Sequence, residues 1–483
     1  RAVELHPQDD WVQNSLGIAY SMVKQYEKAK THFLKALLLS PEAVYYVNLA
    51  DTHKVLENWD DALDYYLEAV SIDPNYHSAH NSIGIEYYYR KNYEKAIEHY
   101  QKAIAIAPEN FVYHANLGDA YKKTKRIEEA VEAYQKALSL NSDDVLTLIN
   151  LGEVFRGQQQ FDEAEQYYLR ALEAHKKQPG NQSIDIALNG LGIIYSIRRD
   201  YRAAEKYFQS AIEGNPQYSI YYSNLGDAYR NLQQYEKAIE IYEKAIALDE
   251  NDDIVHNAMG VSYSYLKEFD SAIECYQKAI NINNSKAVYF LNLGDAFVDK
   301  GDLESAEIAY RTAVEKEPKN ASAYESLASL LGSLGKYFQA MVNYQTAFEL
   351  DKNPIHLSHI GHIYRRLGDY EQSIAFCQKA FDIAREQKDT NPRIPRYLGL
   401  AYNDRGTEFD SQQKYQLAIK DYQTALKYID DDPVIFHNLY LSYISIEDWM
   451  NAMESLKRAL ELNPDNPVYL NEMEVLKNKL ADA

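Results

Sequence analysis

Two short patterns of apolar positions alternate along this chain. The first is carried by Asn116-Leu117-Gly118-Asp119-Ala120-Tyr121, which returns as Asn224-Leu225-Gly226-Asp227-Ala228-Tyr229 and as Asn292-Leu293-Gly294-Asp295-Ala296-Phe297. The second follows it and reads aromatic-x-x-Ala-x-x-x-aromatic-x-x-Ala. Ala130, Tyr134 and Ala137 stand after Gly118 as Ala238, Tyr242 and Ala245 stand after Gly226, and as Ala306, Tyr310 and Ala313 stand after Gly294. In both patterns the apolar positions fall at i, i+3, i+4 and i+7, which gathers them on one side of an α-helix. The pattern predicts antiparallel helix pairs. Their small residues mark the closest helix crossings, and the large ring fills the space beside them. A pair of this size cannot bury its apolar face alone, so successive pairs must stack.

The last alanine of the second pattern fixes the register. It recurs at Ala2, Ala36, Ala69, Ala103, Ala137, Ala171, Ala211, Ala245, Ala279, Ala313, Ala347, Ala380, Ala425 and Ala459. Nine of these thirteen steps are 34 residues, two are 33, one is 40 and one is 45. The chain therefore divides into the end of a truncated upstream repeat (1–9), five repeats (10–175), an insertion (176–184), six repeats (185–384), an insertion (385–397), two repeats (398–466) and a capping helix (467–483). The opening residues read as the close of a repeat, with Pro7 ending a helix it cannot continue, so the sequence is expected to be a fragment or a processed chain. At the 45-residue step two registers compete, Leu398-Gly399 with Tyr402 and Arg405-Gly406 with Phe409. The second is preferred because it puts Ala418, Tyr422 and Ala425 in their slots. In the cap, Leu470, Met473, Leu476 and Leu480 form the expected apolar side.

Period and layout together resemble the tetratricopeptide repeat, whose signature is Leu-Gly, Tyr, Ala, Phe and Pro slots over 34 residues. The resemblance covers nearly the whole chain and implies an all-α fold, a right-handed α-solenoid superhelix of antiparallel helix pairs. It also implies that the first helix of each pair lines a concave groove, into which the residues two before and one after the glycine point. In the repeats around residues 48, 116, 150 and 224 these slots, with a third residue one turn on, hold Asn48, Asp51 and Lys54; Asn116, Asp119 and Lys122; Asn150, Glu153 and Arg156; and Asn224, Asp227 and Arg230. The repeat of Asn292 and Asp295 has Val298 third. At i, i+3 and i+6 the acid and base of each set are expected to pair.

Alternate repeats carry Ser15, Ile18 and Ser21; Ser82, Ile85 and Tyr88; Gly190, Ile193 and Ser196; and Ala258, Val261 and Ser264. Apolar and polar members thus form couples at 17/50, 84/118, 192/226 and 260/294, and a tyrosine five before the glycine slot (Tyr45, Tyr113, Tyr221, Tyr289) marks only the polar members. A duplicated two-repeat unit accounts for this. The asparagines have two readings. They can bridge neighbouring helices, or they can hold the backbone of an extended peptide, as the similar asparagine ladder of the O-linked N-acetylglucosamine transferases does, since an amide matches a peptide group donor for acceptor. A carboxylate clamp for a chaperone tail needs basic outer slots, and here these are Val44, Ser78, Val112, Leu146, Ile220, Ile254 and Val288.

Charge narrows the partners. With 50 Lys and Arg against 72 Asp and Glu the net charge is −22, which repels phosphate backbones and anionic lipid; no nucleic acid and no membrane partner is expected. No apolar run reaches the length of a membrane span. The two cysteines, Cys275 and Cys377, sit in or beside aromatic slots as small buried hydrophobes, which fits a reducing, cytoplasmic setting. His356, His359 and His362 share a helix face, but Arg365 and Arg366 beside them oppose a cation, so no metal is expected; His359 and His362 are read instead as replacing the Asn and Asp of the ladder and making one basic point. Asp249 to Asp253 lacks the glycine and closing glutamate of a calcium loop. No phosphate loop, zinc motif or nucleophile elbow occurs, and no cofactor is expected. These features point to a non-catalytic scaffold that holds an extended, basic or neutral protein segment. The alternative is the substrate-recruiting arm of a larger enzyme such as a glycosyltransferase.

Overall fold

The computed structural model describes residues 8–180 and 183–481. Parts of the expected upstream remnant (1–7), of the first insertion (181–182) and of the cap (482–483) lie outside the described residues. The described residues form 27 helices and no strand. The chain divides into two compact units, Arg1–Glu250 and Asn251–Ala483. In the first unit seven helix pairs follow one another, from Asp10–Met22 with Tyr26–Leu39 to Ser219–Asn231 with Tyr235–Leu248. In the second there are six, from Asp253–Tyr265 with Phe269–Ile282 to Pro433–Ser445 with Trp449–Leu462, and then the single helix Pro467–Ala481. Within each unit every first helix packs on its own second helix, and nearly every second helix on the first helix that follows. This is an all-α solenoid.

One contact recurs at almost every pair. The glycine of the first helix lies against the ring of the second: a Cβ on Gly226 would stand 2.4 Å from Tyr242 Cε1, on Gly118 2.6 Å from Tyr134 Cε1, and on Gly17 2.5 Å from Phe33 Cε1. These rings and the flanking alanines are at most 1% exposed, as at Tyr134, Ala130 and Ala137. Ala50 and Ala328 take the glycine position opposite Tyr66 and Tyr344, so two of the pairs accommodate a buried methyl there. In one repeat Cys377 replaces the ring, with its sulfur 2.4 Å from where a Cβ of Gly361 would be. Desolvation pushes that thiol up to about 12, so the sulfur is a packing group.

The turn within each pair is closed by a residue in the left-handed region. Lys24 (φ 60°) is typical: Gln25 N donates to Tyr20 O at 2.9 Å and Lys24 N to Ser21 O at 2.9 Å. This satisfies two orphan carbonyls of the helix end. Glycine occupies the position in only three consecutive repeats, at Gly301, Gly335 and Gly368.

The irregular steps resolve into longer helices. Phe161–Lys177 has 17 residues, Tyr370–Gln387 has 18 and Arg393–Ser411 has 19. In the last of these a Cβ on Gly406 would stand 2.7 Å from Tyr422 Cε1 and one on Gly399 2.6 Å from the side chain of Ile429, so both glycines are used, one in the repeated contact and one against the turn after it. The capping helix buries Tyr469, Met473 and Leu476, whereas Leu470, assigned to that side from the sequence, is 50% exposed. The true stripe begins one residue earlier, at Tyr469.

Filling the glycine contact should destabilise the array locally. Gly226→Ala drives a methyl into the Tyr242 ring and is expected to cost about 1–3 kcal/mol, while Gly157→Ala, with nothing within 4 Å, should be neutral or stabilising by up to about 1 kcal/mol. Urea unfolding midpoints compare the two; an unchanged midpoint for Gly226→Ala refutes the contact.

Candidate functional site

The polar slots of the first helices come together, and each member has a structural partner. The acid one after the glycine accepts the hydroxyl hydrogen of the second-helix tyrosine: Tyr134 to Asp119 at 2.5 Å, Tyr168 to Glu153 at 2.5 Å, Tyr242 to Asp227 at 2.7 Å, Tyr310 to Asp295 at 2.5 Å, and Tyr66 to Asp51. Where the slot holds Ile18 or Ile193, the ring is Phe33 or Phe208 and has no hydroxyl to satisfy. Where it holds Ile85 or Val261 the ring is still a tyrosine, Tyr100 or Tyr276, and Tyr276 pairs with Ser264 at 3.1 Å instead, so each acid in the row meets a tyrosine but a tyrosine does not require the acid. A buried hydroxyl without an acceptor is costly, and the presence of a tyrosine fifteen residues after each acid of the row was readable in the sequence but missed there. Desolvation, and after it the adjoining Asp119 or Asp295 carboxylate, pushes the Tyr134 and Tyr310 phenols well above their ordinary range.

Pairing of acid and base within each set occurs in two of the four cases. Arg156 reaches Glu153 at 2.7 Å and Arg230 reaches Asp227 at 2.9 Å. Lys122 instead donates to Asn150 Oδ1 at 3.0 Å, and Lys54 lies 3.6 Å from the buried Glu86 of the next repeat, because a lysine stem reaches across to the adjacent helix. The carboxyls follow their partners. Burial opposes it, but hydrogen bonds from Arg156 and Tyr168 hold Glu153 below its usual range. Asp51, Asp119 and Asp295 are pushed up by desolvation, against the hydrogen bonds from their tyrosines.

The asparagines bridge the couples. Asn48 Nδ2 donates to Asn14 Oδ1 at 2.8 Å, Asn116 to Asn81 at 2.9 Å, Asn224 to Asn189 at 2.8 Å and Asn292 to Asn257 at 2.8 Å. Asn150, outside any couple, donates to Asp119 at 3.0 Å. Marker tyrosines make a second bridge between the same two helices: Tyr45 to Asp10 at 2.8 Å, Tyr113 with His77 at 2.7 Å, Tyr221 to Asp185 at 2.8 Å and Tyr289 to Asp253 at 2.7 Å. The two-repeat unit read from the sequence is thus a doubly hydrogen-bonded pair of repeats. The coupled amides Asn48, Asn116, Asn224 and Asn292 remain half-buried, each with one N–H and its carbonyl oxygen uncommitted to the chain.

His359 and His362 line the same face but are not a basic point. His359 stacks on Tyr344 at 4.9 Å and meets Tyr397 at 5.7 Å. Burial, followed by the neighbouring histidines and Arg393, lowers it to about 4, so it is neutral at pH 7. Burial and Arg365 also lower His362. Among the described residues no three His, Cys, Asp or Glu side chains are placed to share a metal ion, and no helix is long and apolar enough to cross a membrane.

Beside the polar row the outer slots form an apolar one whose exposure the sequence could not give. Val44, Val112, Leu146 and Ile220 in the first unit are 39%, 39%, 51% and 46% exposed, and Ile254 and Val288 in the second 57% and 45%. In the first unit a pocket of about 300 Å³ opens on this face, lined by Ile193, Ser196, Phe208, Asn224, Asp227 and Arg230.

Family models described as tetratricopeptide repeat match residues 43–76, 77–110, 143–217, 207–240, 254–285, 321–354 and 354–431, and one described as TPR repeat matches 118–159, 226–266 and 294–335. The chain belongs to the tetratricopeptide-repeat family. Curated relatives include the mitochondrial import receptor subunit TOM70 of Saccharomyces cerevisiae, 42% identical over 90 residues, which are 19% of this chain and 13% of that one. The photosystem I assembly protein Ycf3 of Cyanophora paradoxa is 35% identical over 81 residues, 16% of this chain and 46% of that one. The matches thus span less than half of either relative. Among solved structures, Cut9–Hcn1 of the APC/C is 14% identical, with 97% of this chain and 96% of that one covered and a TM-score of 0.40. YrrB, described as a TPR protein with an unusual peptide-binding site, is 23% identical, with 40% and 96% covered and a TM-score of 0.35. Tetratricopeptide arrays are protein–protein interaction scaffolds, and that is the class of this chain.

The acid–phenol bond can be isolated at Asp295 and Tyr310. Asp295→Ile should cost about 1–3 kcal/mol by stranding the hydroxyl, and adding Tyr310→Phe should recover most of it, since the pair then matches Ile18/Phe33. A double-mutant cycle in urea measures the coupling; additive effects would show that the bond carries no stability.

Proposed function

We propose that the first-helix face holds an extended protein segment, of basic or neutral charge, and that the protein is a non-catalytic scaffold of a cytoplasmic or otherwise reducing compartment. The observation that carries this is the regular row of half-buried amides, each fixed by one hydrogen bond and still offering a donor and an acceptor. A peptide group needs that combination. The apolar row beside it gives side chains of the segment something to cover, and Asp51, Asp119 and Asp295, without an arginine partner, favour a cationic one. The relatives' names are of the same kind, an import receptor subunit and an assembly protein.

A peptide selected from a random display library and measured by calorimetry tests the reading. Alanine at Asn116, Asn224 and Asn292 together should weaken binding by about tenfold to a thousandfold, three net hydrogen bonds of about 0.5–1.5 kcal/mol each. Added salt should weaken it further as the Debye length falls from ~10 Å to ~3 Å. Selected peptides that are acidic and insensitive to salt would sink the proposal.

Acidity gives an independent check. Because desolvation raises the carboxyls of Asp51, Asp119 and Asp295, they take up protons at a higher pH than freely solvated carboxylates. Affinity for a basic peptide should therefore start to fall while the pH is still above the ordinary carboxylate range, and Asp119→Asn should flatten the profile. A profile that breaks only near pH 4 contradicts the assignment.

A further inference from the structure

On the opposite side of the second unit, two consecutive second helices carry a large apolar residue at a position that is polar in ten of the thirteen repeats and alanine (Ala375) in one. Five residues after the opening aromatic slot, the second helix is charged or polar: Asp64, Glu98, Glu132, Glu240, Glu274 and Glu454 are examples. At Ile308 and Val342 it is apolar and exposed, 62% and 50%. One residue after the slot, where Glu94, Glu128, Glu236 and Glu304 stand elsewhere, Phe338 is 76% exposed. The helix Tyr337–Asp351 thereby has no acid in its first turn, forgoing the usual favourable charge at a helix N-terminus.

The order of residues shows how the surface is made. Ala96-Ile97-Glu98, Ala238-Ile239-Glu240 and Ala272-Ile273-Glu274 put the isoleucine inward and the acid outward; Ala306-Glu307-Ile308 reverses them. Glu307 is tucked in, 15% exposed, and takes both Arg311 at 2.5 Å and Lys336 at 2.7 Å. Its charge is thus met within the patch, and an isoleucine is left facing out. Clefts of about 510 Å³ and 370 Å³ flank this ridge, the first lined by Leu303, Ile308 and Leu334 and the second by Val314, Phe338 and Val342, with Arg311 at the edge of both.

We propose that Ile308, Phe338 and Val342 form a second docking surface, which takes the apolar face of an amphipathic helix from a different protein. An exposed apolar cluster with clefts on both sides marks a partner site more often than chance, and apolar anchors one helical turn apart fit a groove between two helices. Glu307, Arg311 and Lys336 are paired with one another, while the exposed Glu304 and Glu315 line the two clefts, so its occupant needs apolar ridges flanked by neutral or basic residues. A second copy of this chain is disfavoured as occupant, because two molecules of net charge −22 repel as they approach. The surface is separate from the amide row, so the scaffold would hold an extended segment on one face and a helix on the other.

The test places the photoreactive residue benzoylphenylalanine at Phe338 in the full chain, in the cells that make it, with the same residue at Glu128 as control. The crosslinked segment, identified by mass spectrometry, is then synthesised and its binding measured by fluorescence polarisation and circular dichroism. The expected result is a segment of another protein with large apolar side chains at helical spacing, which gains helix on binding. Its affinity should fall by roughly tenfold or more for the triple variant Ile308→Glu, Phe338→Glu, Val342→Glu and stay unchanged when Asn116, Asn224 and Asn292 are alanine. Glutamate stands at the equivalent positions of neighbouring repeats, so the triple variant should keep its helix content and melting temperature. Crosslinks to a second copy, crosslinks no stronger than those at Glu128, or a segment that binds the triple variant equally well would each overturn the proposal. Loss of binding in the asparagine variant instead would transfer the segment to the amide face.

Discussion

The approach of a ring to a bare backbone organises this protein. Where Gly118, Gly226 or Gly294 leaves the first helix without a Cβ, the tyrosine of the second helix lies in the space, close enough that a methyl would overlap the ring. The two helices are brought together at one fixed height, and the alanines on either side of the ring let their backbones follow. Everything on the first-helix face inherits its position from that contact. The acid next to the glycine meets the phenol because both belong to it, and the asparagine two residues before the glycine lies in the adjacent row. Chemistry on the face is thus spaced by packing beneath it.

Couples add a second level of order. A helix pair alone would stack on its neighbour through apolar contact, which sets distance but is tolerant of small slips. The bridges from Asn116 to Asn81 and from Tyr113 to His77, and their counterparts in the other couples, tie each polar repeat to the apolar one before it with two directional bonds. Between couples the links are ionic and vary: Lys54 with Glu86, Arg90 with Asp60, Arg198 with Glu165. The pair of Arg90 with the exposed Asp60 contributes little, and the long lysine and arginine stems of all three allow more play than two short side chains bonded directly. Rigidity should therefore be greater within couples than between them.

Much of this was legible in the sequence, and for a physical reason. The helix pairs, the register at Ala418, Tyr422 and Ala425 and the alternation of Asn-Asp with Ile repeats all follow from local periodicity, which a single chain displays. What was not legible depends on reach. Lysine stems at Lys54 and Lys122 leave their own helix for the next one, so spacing along one helix misassigned their partners. His359 is neutral because Tyr344 and Tyr397, from other helices, enclose it. The exposure of Val112 or Leu146 and the start of the cap's stripe at Tyr469 depend on which neighbouring helix covers each position, which spacing along one helix does not show. The pairing of acid with tyrosine was present in the sequence all along, fifteen residues apart, as at Asp227 and Tyr242; it crosses from one helix to the other, and periodicity within a helix does not look there.

The two readings of the asparagines then cease to compete. An amide that is free to rotate must be ordered when a ligand arrives, and that ordering weakens binding. An amide held by its neighbour has already been ordered during folding. Asn224 donates one N–H to Asn189 at 2.8 Å, which fixes the plane of its side chain. Its other N–H and its carbonyl are left aimed from a known position, beside the pocket of Asp227 and Arg230. On the proposed function, the bridge would make the amide a good contact for a peptide. The same argument separates Asn150 from the rest: its amide is held at both ends, by Asp119 at 3.0 Å and Lys122 at 3.0 Å, so its oxygen is shared with a lysine. On the same proposal the uncoupled repeat would be the weakest peptide contact of the row, although the sequence gives it the same residue types, an amide, an acid and a base.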